Sequence, residues 1–145
     1  MNKYIEIALI EANKSKDIDE VPVGAVIVHN NKIISKGHNL SNIDSVSNHA
    51  EIIAINEAIK KIGDWRLNEC ELYVTLEPCP MCAGAILKSR IKKVYIGTSS
   101  NIKSNKKIIE SIFSNNDYYH IVDFEYLNDY NCSKILTDFF REKRL

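Results

Sequence analysis

The stretch LYVTLEPCPMCAGAILKSRIKKVYIG, residues 72–97, decides the fold. Its first five residues are aliphatic, aromatic or β-branched, the composition of a buried strand. Two prolines then break the run. Pro80 suits the first position of a helix, where a missing N–H does no harm, so the sequence predicts a helix over 81–89 with Cys79 as its cap and Cys82 in its first turn. A second β-branched run at 93–97 follows. Strand, helix, strand at this spacing is a βαβ unit with parallel strands.

Working outward, Ile5, Ala8, Leu9 and Ala12 recur at helical spacing and predict an amphipathic helix over 4–15. A β-branched run at 23–29, the pair Asn30-Asn31 and a further strand over 33–39 read as a β-hairpin, because asparagine tolerates the positive φ of a tight turn. Residues 48–62 place Ile52, Ile55, Ala58, Ile59 and Ile62 on one stripe, a helix that stops at Gly63. Toward the C-terminus, 105–113 reads as a helix, 119–126 as a strand and 130–143 as a closing helix with Ile135, Leu136, Phe139 and Phe140 turned inward. The sum is an α/β fold with a mixed five-stranded sheet flanked by helices. With 145 residues and 45% apolar content, a single domain over 1–145 is expected.

No apolar run approaches the roughly 18 residues of a membrane span, and we expect a cytoplasmic protein with no membrane partner. Four cysteines without a secretory signal argue against a disulfide framework, leaving Cys70 and Cys132 as reduced thiols. Formal net charge is zero, which argues against a surface that coats nucleic acid, yet residues 1–87 carry 8 Lys/Arg against 12 Asp/Glu and residues 88–145 carry 11 against 7. Phosphate contacts would come from the basic half, through Lys88, Arg90, Lys92 and Lys93 or Arg141, Lys143 and Arg144.

His49, Glu51, Cys79 and Cys82 carry the chemistry. One imidazole and two thiolates give three ligands to one Zn²⁺ per chain and leave a fourth tetrahedral position for water. His49 and Glu51 would point about 200° apart inside a regular helix, so they can share a target only near a helix end. The Ser47-Asn48 signal places them at one. Two positive helix ends then face one anionic cluster, and both thiols are helped to ionise. Zinc lowers the pKa of bound water to about 7, within reach of Glu51 as a base that moves the proton during attack on an amidine-type carbon. Other readings exist: Asn48 and Glu51 also fit a capping box, Cys-Pro-Met-Cys also fits a redox pair, and Cys70 or Cys132 could close a structural zinc site.

His49-Ala-Glu51 with Pro78-Cys-Pro-Met-Cys82 is the signature of the zinc-dependent cytidine/deoxycytidylate deaminase superfamily, whose nucleobase members carry this pattern. The chain most resembles the branch that deaminates adenosine in transfer RNA. Supporting segments are EVPVGAV at 20–26, NHAEI at 48–52, WRL at 65–67, LYVTLEPCPMCAGA at 72–85, SRI at 89–91 and DFFR at 138–141. The resemblance implies a three-layer cytidine-deaminase-like fold with His49, Cys79 and Cys82 on zinc and Glu51 as proton shuttle. It implies hydrolysis of adenosine to inosine at the wobble position of a tRNA anticodon stem-loop. Asn39 and the backbone at Ala50 would contact the flipped nucleotide, between Val23 and Leu76 as apolar walls. Further implications are a homodimer, with helix 81–89 near the interface, and RNA contacts from Phe140, Arg141 and Arg144. One segment departs. Where the family carries Asp-x-Lys-x-Gly-Ala, this chain reads TSSNIKSNKK over 98–107, with Ser100 at the position of the aspartate. The zinc motif is common to deaminases of a free base or nucleoside, or of adenine or cytosine in another nucleic acid, and these are the rival substrates. A non-catalytic zinc-stabilised RNA-binding module is the rival of another class.

Overall fold

The structure is a computed structural model describing residues 2–40 and 45–143. In chain order it consists of α1 (Lys3–Asp17), β1 (Gly24–His29), β2 (Lys32–His38), α2 (Ala50–Ile62), β3 (Cys70–Leu76), α3 (Pro80–Lys88), β4 (Lys93–Thr98), α4 (Asn105–Phe113), a 3-10 turn (Asn116–Tyr118), β5 (Asp123–Tyr126) and α5 (Tyr130–Lys143). The strands form one sheet in the order β2-β1-β3-β4-β5. β1 runs antiparallel to β2 and β3, whereas β3, β4 and β5 are mutually parallel. The mixed five-stranded sheet and the βαβ unit are as the sequence predicts.

Alternation along the strands builds the three layers. Ala25, Ile27, Leu72, Val74, Val94 and Ile96 point to one face, where Ala54 and Ala58 of α2, Ile86 of α3, and Ile109 and Phe113 of α4 cover them. Val26, Val28 and Tyr73 point to the other, under Ile5 and Ala8 of α1 and Cys132 of α5. Tyr73 and Tyr95, paired across β3 and β4, stack with ring centroids 4.3 Å apart. Asn30 and Asn31 adopt φ of 52° and 62°, so the hairpin turn forms where the two asparagines predict it.

Three details depart from the sequence reading. The last strand spans only Asp123–Tyr126, because Tyr119 takes a positive φ of 58° and the Val122 N–H bonds to the Phe113 carbonyl, which keeps the segment before it off the sheet. Phe140 is 42% exposed, not turned inward; α5 seats on the sheet through Cys132 and Phe139, and the next residue is rotated about 100° away. Ile62 is likewise exposed, since α2 packs through Ala54, Ile55 and Ala58.

The topology collects functional side chains at one edge. Parallel pairing sets Leu76 beside Thr98, and antiparallel pairing brings the start of β1 and the end of β2 to the same edge. A crevice at the carboxyl ends of parallel strands is where α/β sheets place ligands. Gly37 lets α2 approach it closely, for a Cβ there would lie 2.4 Å from the Ala50 carbonyl oxygen.

Candidate active site

Two helix starts meet at this edge. Cys79 caps α3 in an extended conformation (φ −73°, ψ 169°) and Pro80 opens the helix, as the sequence predicts. At α2 the cap is His49 itself (φ −83°, ψ 151°), one residue beyond the Ser47-Asn48 signal, and no side chain of its own caps the helix. The capping-box reading of Asn48 and Glu51 is thereby overturned. Asn39 takes up the role from a distance: its Oδ1 accepts the Ala50 N–H at 2.9 Å while its Nδ2 donates to the Val21 carbonyl at 3.2 Å. With the cap supplied by β2's exit, the His49 ring is left to face the sulfurs.

His49 Nδ1 lies 3.4 Å from Cys82 Sγ and 3.7 Å from Cys79 Sγ. Among the described residues His49, Cys79 and Cys82 form the group able to hold a metal ion, their ligand atoms all within 4.8 Å of one another. Zn–N of about 2.0–2.1 Å and Zn–S of about 2.3 Å in tetrahedral geometry require an N···S edge of about 3.6 Å, so the donor set fits zinc. Neither Cys70 nor Cys132 joins the group. Both are buried, Cys132 against Gly97 beneath β4, and the thiols of both are held above their ordinary pKa, chiefly by burial. A closed four-ligand site is therefore not formed by them.

The electrostatics divide the roles. Burial is the main cause that pushes the Glu51 carboxyl up to about 7, with the neighbouring Cys79 adding to it; the side chain is only 3% exposed. A carboxyl poised near neutrality can both take and give a proton. Cys79 is drawn down to about 5, first by the Cys82 thiol donating to it and then by backbone N–H groups of Cys82 and Met81 at the helix start. Cys82 is pushed up because it keeps the shared proton, is buried, and faces Glu51. A bound cation would displace that proton and leave two thiolates.

The remaining predicted residues lie in two places. Val23 is buried, whereas Leu76 is half-exposed and lines a cavity of about 370 Å³ with Val21, residues 98–102 and, from α5, Leu136 and Phe140. The departing loop and the closing helix thus share a wall beside the site. Arg141 is exposed with Asp138 at 3.8 Å. Arg144 lies outside the described residues. A cavity of about 590 Å³ between Trp65, Leu87, Arg90 and Tyr118 is lined by none of the zinc-binding candidates.

Sequence reasoning missed the groups behind the cysteines. Glu77, 4% exposed, accepts from Asn105 Nδ2 at 2.6 Å and from the Tyr126 hydroxyl at 2.6 Å. The available signal was a carboxylate between an apolar strand and Pro-Cys, a place where burial demands partners.

A three-layer α/β sheet whose edge gathers a His-Cys-Cys set and a buried, neutral-range glutamate at two helix starts is the framework of a zinc-dependent deaminase. The family model for the cytidine and deoxycytidylate deaminase zinc-binding region matches residues 1–98, and the chain belongs to this family. Its relatives include the tRNA-specific adenosine deaminase of Bacillus subtilis, 40% identical over 97% of this chain and 89% of that protein. Another is the tRNA-specific adenosine deaminase of Buchnera aphidicola, 41% identical over 97% of this chain and 94% of that protein. A solved structure from work on A-to-I editing by tRNA:A34 deaminases superposes with a TM-score of 0.81 at 36% identity, covering 92% of this chain and 98% of that one.

Proposed function

We propose that this chain hydrolyses adenosine to inosine and ammonia at the wobble position of a tRNA anticodon loop. His49, Cys79 and Cys82 hold one zinc ion, and Glu51 carries the proton. When bound, zinc supplies Lewis-acid activation of water near neutral pH. The observation that carries the reading is geometric: the ligand atoms of His49, Cys79 and Cys82 lie within 4.8 Å of one another, and the buried Glu51 faces them from the first turn of α2. Glu51 takes one proton of the attacking water and passes it to the ring nitrogen next to the reacting carbon; it then takes the remaining proton of the newly added hydroxyl and gives it to the amine, which leaves as ammonia as the C–N bond breaks and the carbonyl forms. Asn39 holds the start of α2 through Ala50 and so sets where the Ala50 backbone meets the flipped nucleotide. Val23 and Leu76 supply apolar walls. Phe140, Arg141 and Arg144 contact RNA beyond the base, and the exposure of Phe140 supports stacking in place of core packing.

The near-full-length likeness to tRNA-specific adenosine deaminases supports tRNA as the substrate. We further propose a single domain over 1–145 that acts as a cytoplasmic homodimer. Among the described residues no helix is long and apolar enough to cross a membrane. A second reading, deamination of another base-containing substrate, draws on the loop 98–104. Its sequence leaves the family pattern where it lines the cavity beside Leu76 and Phe140. An anticodon stem-loop assay separates the two. Inosine at the wobble adenosine, abolished in Glu51→Ala with zinc retained, supports the first; no inosine while a free nucleoside is deaminated selects the second.

A further inference from the structure

The Pro78-Cys79 turn is held from behind by a chain of buried and part-buried hydrogen bonds from the segments after β4. Asn105, the first residue of α4, is 4% exposed and aims its amide nitrogen at two acceptors: Glu77 Oε1 at 2.6 Å and the Pro78 carbonyl at 3.0 Å. Glu77 Oε2 accepts from the Tyr126 hydroxyl on β5 at 2.6 Å, and the Glu77 N–H donates to the Thr98 carbonyl at 2.9 Å. Every acceptor of the Glu77 carboxylate is thus met by a donor from outside the turn, which a buried carboxylate requires. The Pro78 carbonyl belongs to the peptide that links directly to Cys79. Movement of Asn105 is therefore movement of the backbone that presents the Cys79 sulfur.

We propose that Asn105 is a positioning residue for the metal site, locking the Pro78-Cys79 turn to the start of α4 through the Pro78 carbonyl and the Glu77–Tyr126 pair. This rests on the reading of Cys79 as a zinc ligand. Residues that orient a metal's ligands without touching the metal typically change metal affinity or activity by about 10- to 100-fold when removed. Asn105 directly follows the loop 98–104, whose residues 98–102 line the cavity beside Leu76, so its side chain ties the end of that loop to the ligand turn.

Zinc affinity, measured by competition with a chromogenic chelator well below the melting temperature, tests this with wild type, Cys79→Ala and Asn105→Ala. Circular dichroism monitors the fold. Asn105→Ala should hold zinc about 10-fold or more weakly. Tyr126→Phe, which leaves both Asn105 bonds in place, should fall between it and wild type. Wild-type affinity in a folded Asn105→Ala, with Cys79→Ala defective, overturns the positioning role and leaves the metal assignment standing. Zinc bound equally well by Cys79→Ala overturns the metal assignment itself. Should Asn105→Ala not fold, Asn105→Leu fills the same space without either N–H donor. It must show the same weakening, and unchanged affinity there overturns the proposal.

Discussion

The two walls of the active-site edge are built on different terms. On one side, the starts of α2 and α3 present His49, Glu51, Cys79 and Cys82 from regular helices packed on the sheet through residues such as Ala54, Ala58 and Ile86. On the other, residues 98–102 and the exposed face of α5 around Phe140 line an open cavity with few buried side chains of their own. The first wall fixes atoms to within an ångström or so, as acid-base chemistry at a metal demands. The second fixes only a surface, on which a longer substrate is selected.

Substitutions in the first wall should accordingly abolish turnover of every substrate. Those in the second should change which substrate is preferred. The largest effect is expected for His49→Ala and Cys82→Ala, which should reduce metal content from one zinc per chain to almost none and eliminate product on stem-loop and free nucleoside alike; elemental analysis with product chromatography checks both. Next comes Glu51→Gln, expected to retain zinc while kcat falls by about 10²- to 10⁴-fold on all substrates. Retained activity on any of them would break the comparison. For the second wall, Phe140→Ala should cost about 1–3 kcal/mol in kcat/KM for the stem-loop, the usual worth of a base stacked on an aromatic, and leave a free nucleoside unaffected. Equal loss on both would move Phe140 to the first wall.

The shoulder between the walls gives the smaller effects. Asn39→Ala removes the acceptor for the Ala50 N–H and should lower stability to denaturant by about 0.5–2 kcal/mol, as loss of a helix cap does. Glu11, on α1 beside His38, behaves differently. Burial pushes its carboxyl up, but Lys14 at 2.6 Å and His38 at 3.2 Å outweigh this and hold it below its ordinary 4.5. A depressed carboxyl stabilises the fold above its ordinary pKa and loses that contribution as pH falls through the folded value. Glu11→Gln should therefore cost about 1 kcal/mol at neutral pH, and urea titrations of the two proteins should converge under acid conditions.

The two walls also differ in how well the sequence discloses them. Cys79, Pro80 and Cys82 are legible because cap and first-turn preferences are local, and the βαβ unit follows from the runs flanking them. The sequence places His49 and Glu51 at a helix start and the structure has them there, although the cap is His49, with Asn39 ten residues upstream accepting the Ala50 N–H. That contact depends on how the end of β2 meets α2, which no local signal encodes. Periodicity overextended the last strand into 119–122, and it turned Phe140 inward because an apolar residue next to Phe139 satisfies the pattern equally well on either side. The Glu77–Asn105–Tyr126 chain joins residues 28 and 49 positions apart, so it becomes visible only when α4 and β5 close over the cysteine turn.

The central claim is that the first wall performs adenosine deamination on the RNA held by the second. Nucleoside analysis of an anticodon stem-loop, incubated with the zinc-loaded wild-type protein and in parallel with zinc-loaded Glu51→Gln, tests it most directly. Inosine is expected at the wobble adenosine with the wild type and almost none with Glu51→Gln at equal zinc content. Inosine formed at similar rates by both proteins would contradict it.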